Sequence, residues 1–221
     1  MYDKIKRLLK GFDSLEVANP KLWDSLKNGI NGVIIVGSTC AGKSTMVDAV
    51  REQVKCARVP KRLVTRPQRE NDNLIENKFV TKDIFAQMML SGEIGLHWTR
   101  RMELKREEKY GFEAVNPSDF SVYSGNNALY NNRASVMPRK ILDDHIYIGV
   151  YAPDPVRKQR LLNRSTDLVT ANAAEVEYRL KDSSEFMLPH CHILVKNYDT
   201  MQNQSAADLV KLIDHLIRQK S

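Results

Sequence analysis

At 221 residues and 42% hydrophobic content, the chain can bury the core of one α/β domain with small inserted lobes, which excludes global disorder. No apolar run approaches the roughly 20 residues that span a bilayer, and no signal-peptide pattern opens the chain. The formal charge of +7 suits nucleic acid or polyanionic small substrates; the basic residues are dispersed and not interleaved with aromatics, so we read the second and expect no nucleic-acid partner.

Residues 1–30 are expected to form an N-terminal helical extension, broken at Asn19-Pro20 and Asn28-Gly29. Ile5, Leu8, Leu9 and Phe12 recur at helical spacing among Lys4, Lys6, Arg7 and Lys10. Such a stripe can lie on a membrane surface, but more commonly it packs on its own domain, and no membrane partner is expected. The remainder, 31–221, is expected to form the main α/β domain.

Val33-Ile34-Ile35-Val36 is an apolar run of strand length, as in a parallel strand covered by helices on both faces. Gly37-Ser38-Thr39-Cys40-Ala41-Gly42-Lys43-Ser44 follows at once and fills every fixed position of G-x-x-x-x-G-K-S/T. Behind Thr45, Met46, Val47, Val50 and Val54 continue at helical spacing, so strand, loop and helix come in P-loop order. Gly37 and Gly42 let the backbone curl until successive N–H groups point inward, and the helix N-terminus adds its dipole and unpaired amides. Residues 37–45 are therefore the expected ATP site, with Lys43 on the β- and γ-phosphates and the Ser44 hydroxyl on magnesium. The plainer reading, a glycine turn between core elements, does not explain why all fixed positions are filled.

Farther on, Arg62-Leu63-Val64-Thr65 is expected to end the second strand of the same sheet, which places Arg66 and Arg69 at the edge facing the P-loop. A polar stretch, a short apolar segment at Lys78-Phe79-Val80, and a helix over Ile84, Phe85, Met88 and Met89 follow. The run 100–109, RRMELKREEK, stacks charges at i, i+4 and reads as a solvated helical turn. Strands are expected over 120–124, 145–151 and 191–196, and a last helix carries Ala206, Leu209, Val210, Ile213, Leu216 and Ile217 on one stripe. This alternation implies a parallel sheet covered on both faces. Arg157, Arg160 and Arg164 share a helix after 145–151, and Arg179 lies on the next. Two arginine clusters, each beyond a strand's carboxyl end, suit a site that must neutralise charge developing on a phosphoryl group.

Other constellations read more plainly. His190-Cys191-His192 offers two histidines without the rest of a tetrahedral set, so a strand entering the sheet is preferred to a metal site. Asp143-Asp144 reads as a solvated turn, and Trp98 as a buried anchor ahead of a substrate platform. Cys40 sits in the amide nest near Lys43, but a small loop-filling residue is the preferred reading. The three cysteines show no paired spacing, which points to a reducing, cytoplasmic compartment.

The P-loop, Thr65-Arg66-Pro67-x-Arg69, Arg160-Leu161-x-x-Arg164-x-Thr166-Asp167, Arg179-Leu180 and Val195-Lys196-Asn197 together resemble the guanylate kinase superfamily over about residues 31–217. The resemblance implies a three-layer P-loop kinase fold with a small acceptor lobe, about 64–112, and an arginine lid, about 157–182. It implies that Arg66 and Arg69 grip the acceptor phosphate. Lys43, Arg164 and Arg179 would serve catalysis, with Arg160, Arg164 and Asn197 at the nucleotide. The base-reading surface departs from that family: Asn77 replaces a tyrosine, His97 stands before Trp98 in place of a glutamate, and Ser124-Gly125-Asn126-Asn127 replaces a strand-end aspartate.

A sister group, the ribose 1,5-bisphosphate phosphokinases, is more similar at Arg62-Leu63-Val64-Thr65-Arg66-Pro67, Glu76-Asn77, Gly92-x-Ile94-x-Leu96-x-Trp98, Tyr110-Gly111 and Ser124-Gly125-Asn126. The charged run after Trp98 looks like an insertion there. Asn77, His97, Tyr110 and Ser124 join Arg66 and Arg69 as the expected acceptor residues. The expected reaction is magnesium-dependent transfer of the ATP γ-phosphoryl group to a phosphate of a small phosphorylated acceptor, ribose 1,5-bisphosphate ahead of GMP. A phosphate acceptor is already nucleophilic, so positioning and charge neutralisation suffice without a general base. The third strand offers no obvious acidic partner for the magnesium. The competing class is a non-enzymatic binding module, which tends to lose the P-loop and lid residues that stand here. An oligomer is compatible with the sequence.

Overall fold

The structure, a computed structural model, describes residues 2–27, 29–68, 70, 72–101, 107–125, 139–164, 177, 180 and 189–220. The strands are β1 (Leu15–Val17), β2 (Gly32–Gly37), β3 (Ala57–Arg58), β4 (Arg62–Val64), β5 (Asn77–Phe79), β6 (Ile94–Arg101), β7 (Glu107–Glu113), β8 (Phe120–Gly125), β9 (His145–Tyr151) and β10 (Ile193–Lys196). The helices are α1 (Tyr2–Leu9), α2 (Lys43–Gln53), α3 (Lys82–Leu90), α4 (Arg139–Asp144), α5 (Asp154–Arg164) and α6 (Gln202–Lys220). The main sheet runs β1-β10-β9-β2-β8-β3, parallel except that β1 is antiparallel to β10. A second sheet runs β5-β4-β7-β6.

β2 lies between β8 and β9 and is buried along its whole length, as its unbroken run of β-branched residues requires. Val33 and Ile35 face one way, into a core shared with Met46, Val47 and Val50 of α2, Leu209, Leu212 and Ile213 of α6, and Ile5 and Leu9 of α1. Ile34 and Val36 face the other, against Leu96, Trp98, Tyr110 and Phe112 of the second sheet and Ile141 of α4. Alternation along a strand therefore splits its residues between two cores. One face of the main sheet is covered by helices, and the other chiefly by the aromatic face of the second sheet, where helices were expected on both.

Four local expectations change with the structure. The residues 62–64 form β4 of the second sheet; the strand beside β8 in the main sheet is the two-residue β3. The first 30 residues are not wholly helical, since β1 pairs with β10 and extends the main sheet. The ends of the charged run are strands: Arg100 lies opposite Glu108 and Arg101 opposite Glu107 in the β6–β7 hairpin. Opposite charges that stack at i, i+4 on a helix also pair across an antiparallel ladder, and sequence spacing does not separate the two. Finally, the left-handed positions of the P-loop are Cys40 at φ 61° and Gly42 at φ 98°, not Gly37.

Candidate functional site

The loop between β2 and α2 lies at the carboxyl edge of the main sheet, where Gly37 pairs with Val150. Gly42 is the N-cap of α2 and makes no side-chain cap. At φ 98° it needs a residue without a Cβ, and a Cβ there would also collide with Asn197 Nδ2. The outer carbonyls of the loop are held from behind. Arg157 Nε donates to Thr39 O at 3.0 Å, Asn197 Nδ2 to Ala41 O at 2.6 Å, and Arg160 Nη1 lies 3.5 and 3.4 Å from Cys40 O and Ala41 O. With these carbonyls occupied on one side, the loop's concave side and the uncapped first turn of α2 form an anion cradle. Lys43 Nζ, half-buried at its mouth, donates to Gly37 O at 2.6 Å and Ser38 O at 2.9 Å. Among the described residues the buried Ser38 hydroxyl has no hydrogen-bond partner.

Two residues expected at the nucleotide also brace the loop. Asn197 is fully buried beneath Ala41, and among the described residues its Oδ1 has no partner. Arg160 also donates to Asn197 O at 3.0 Å and pairs with Asp199 at 2.9 Å. Arg157, likewise fully buried, pairs with Asp154 at 2.7 Å. Cys40 packs on Leu161 and Leu180, in accord with a loop-filling role. The first part of the expected lid, up to residue 164, is thus the helix α5 docked on the P-loop. The Arg164 side chain, Arg179, Arg69, Thr166-Asp167 and Asn126-Asn127 lie outside the described residues.

Across the cradle, Arg66 makes a two-pronged pair with Asp72, at 2.7 and 2.5 Å, and lies over the Phe79 ring. Hydrogen bonding to Asp72 is the main cause of its raised pKa. Asn77 is buried and committed to the fold: Oδ1 accepts from Arg62 Nε at 2.9 Å, and Nδ2 donates to Asn73 O at 2.8 Å. Tyr110 stacks on Trp98 at 5.4 Å and donates to Glu108, and Trp98 is buried. Burial, then the neighbouring Lys109 charge, lowers the pKa of His97. Ser124 shares a narrow cleft with Val47, Arg62, Glu76 and Phe112.

Glu76 is the residue that sequence reading quoted without assigning a role. It precedes β5, and its Oε2 accepts from the Ser44 hydroxyl at 3.4 Å. Among the described residues its Oε1 is buried without a hydrogen-bond partner, while Arg62 Nη2 stands 4.0 Å from Oε2. Burial lowers the pKa of Arg62, and Glu76 is the largest influence opposing that shift. The two residues are 32 positions apart, so no local spacing signals the contact.

A second polar cluster lies at the opposite, amino edge of the sheet. Asp144, expected as a solvated turn, is buried; its Oδ1 contacts His145 Nδ1 at 2.5 Å, and Asn31 donates to its Oδ2 at 3.0 Å. His145 Nε2 meets the Ser121 hydroxyl at 2.6 Å. The order of groups is that of a nucleophile–base–acid relay, but Ser121 also bonds the Tyr123 side chain and is only 4% exposed. A bonded, covered hydroxyl is a structural tie. Gly32 makes room for it, since a Cβ there would stand 2.5 Å from His145 Nε2. His192 is similarly committed: Nδ1 accepts from Tyr147 N at 2.9 Å and Nε2 donates to Leu22 O at 3.2 Å. Among the described residues, no group of three or more His, Cys, Asp or Glu side chains could hold a metal ion.

No family model matches the chain, and no curated protein matches it. Among solved structures, the chain is similar to a guanylate kinase from Anaplasma phagocytophilum, with 14% sequence identity, 87% of this chain and 88% of that chain covered, and a TM-score of 0.47. A likeness that distant carries neither activity nor substrate across.

Proposed function

We propose that the protein is an ATP- and magnesium-dependent phosphotransferase that acts on a phosphate group of a small phosphorylated acceptor, with ribose 1,5-bisphosphate preferred to GMP. The observation that carries this reading is the P-loop cradle: a braced loop, an uncapped helix start, Lys43 at the mouth and Ser44 in the first turn. That arrangement binds polyphosphate through backbone amides and one mobile cation. The second sheet faces it as the acceptor lobe, with Arg66 and Arg69 as its phosphate grip and His97, Tyr110 and Ser124 around the rest of the acceptor.

Magnesium fits the residues present. Ser44 and Glu76 offer hard oxygen donors side by side, and one carboxylate oxygen of Glu76 is buried without a partner among the described residues. When bound with ATP, the ion supplies neutralisation of phosphate charge. The protein's share is to curl the loop around the phosphates, to bring Lys43 off its own carbonyls onto them, and to hold the acceptor phosphate in line. Arg164 and Arg179 are the proposed lid charges. Catalysis by positioning and neutralisation needs no acid–base pair.

The test is ADP release with GMP, dGMP, UMP and ribose 1,5-bisphosphate assayed in parallel. Release that depends on one of these acceptors supports the reading. Tight ATP binding with no release on any of them would favour a guanylate-kinase-like binding module.

A further inference from the structure

We propose that Glu76 is a magnesium-positioning residue of the nucleotide site, delivered to it by the acceptor lobe; the proposal rests on the kinase reading above. A hydroxyl that gives a lone pair to a cation is best oriented when its proton is held by an acceptor on the far side. Glu76 Oε2 is in place to be that acceptor for Ser44. The carboxylate also adds the negative charge that the end of β8, Ser124-Gly125, lacks. Among the described residues its second oxygen is buried with no partner, although desolvating a carboxylate oxygen is costly. A cation and its water shell would satisfy that oxygen.

The position is built with care. Glu76 O accepts from Arg62 N at 2.7 Å, and the next residue is anchored by the Arg62–Asn77–Asn73 bonds. The Glu76 side chain is 14% exposed. Arg62 Nη2 stands 4.0 Å from one carboxylate oxygen, so it does not occupy the group as Asp72 occupies Arg66. Because Glu76 leads into β5 of the second sheet and Ser44 lies in the P-loop helix, this contact links the acceptor lobe to the nucleotide. Metal retention and the seating of the acceptor lobe become one event.

The experiment is calorimetric titration of ATP into the full chain at stepped magnesium concentrations, and without magnesium, for wild type, Glu76→Gln and Glu76→Asp. Glu76→Gln should raise the magnesium concentration for half-maximal tight ATP binding about 10- to 100-fold, the range seen when the groups that orient metal ligands are removed. Metal-free ATP binding should not weaken, because no phosphate contact is lost. Glu76→Asp should recover part of the effect, and Glu76→Gln added to Ser44→Ala should cost little more, since Glu76 acts through the Ser44 hydroxyl. Should Glu76→Gln fail to fold, Glu76→Asp carries the same comparison with a smaller displacement. An unchanged magnesium requirement, or equal weakening with and without magnesium, overturns the proposal. If wild type binds ATP under neither condition, the kinase reading itself falls and this inference falls with it.

Discussion

At the scale of single residues, the cradle separates groups that hold the loop from groups that can leave it. Arg157, Arg160 and Asn197 are tied to its carbonyls from behind. Lys43 donates to Gly37 O and Ser38 O, backbone carbonyls that water can also satisfy. Lys43→Ala should therefore leave the thermal midpoint nearly unchanged while lowering kcat by at least about 10²- to 10³-fold, the cost of removing one charge-stabilising donor. Unchanged ADP formation by the folded variant would remove the P-loop from the chemistry. His97 gives a second prediction, in pH. Its folded pKa lies below the ordinary 6.5, through burial and then Lys109. The unfolded chain thus binds a proton that the folded chain resists, so this group costs stability as pH falls through 6.5 towards the lowered value, and nothing above 6.5. Thermal melts at about pH 7.5 and about pH 5.5 should show a smaller acid-induced drop for His97→Gln than for wild type. Equal drops would mean that His97 titrates alike in both states.

At the scale of elements, what could be read in the sequence was whatever is local. The β2–loop–α2 unit carries its strand run, its glycines, its lysine and its helical stripe within 23 consecutive residues, and it forms as expected. Pairings across the chain left no such trace. Nothing near residues 62–64 distinguishes a strand of the second sheet from one of the main sheet, because both are short and apolar at their centre. The partner of Ser44 comes from 32 residues away, and Asp144 is drawn inside by His145 and Asn31 although its sequence neighbours are polar. That last cluster yields an element-scale prediction. It ties the amino ends of β2, β8 and β9, so His145→Ala leaves Asp144 and Ser121 buried and short of a partner. Each such group costs about 1–3 kcal/mol. Urea denaturation should show a loss of that order or more, with ATP affinity retained, because the cradle lies at the other edge of the sheet. A large loss of ATP binding in the folded variant would show that the two edges are coupled.

At the scale of the whole molecule, two sheets face one another, with the P-loop and Ser124 on the main sheet and the proposed acceptor residues Arg66, His97 and Tyr110 on the second, and on this proposal the acceptor's identity depends on these polar groups. Guanine is recognised by acceptors matched to its N1–H and exocyclic amine, and buried mismatches are punished strongly. His97, held neutral by burial and Lys109, offers one donor and one acceptor. Asn77 is buried, with its amide already bonded to Arg62 and Asn73, so it is withdrawn from any acceptor. Ser124 carries a hydroxyl where an acceptor-only carboxylate would be needed. Losing one charged hydrogen bond costs on the order of 1.5–3 kcal/mol, or about tenfold to 150-fold in affinity. A sugar bisphosphate asks less of this surface, since its recognition falls to cations such as Arg66 and to hydroxyl partners such as Ser124. Arg66 is at present paired with Asp72, so seating a phosphate of either acceptor there requires a carboxylate to be displaced. The kcat/KM for ribose 1,5-bisphosphate should therefore exceed that for GMP by at least about tenfold. Arg66→Ala should raise KM for either acceptor and leave kcat comparatively unaffected, because the grip acts on the phosphate that both share. Efficient turnover of GMP with none of ribose 1,5-bisphosphate would mean that guanine is read by groups other than His97, Asn77 and Ser124, and the acceptor assignment would pass to GMP.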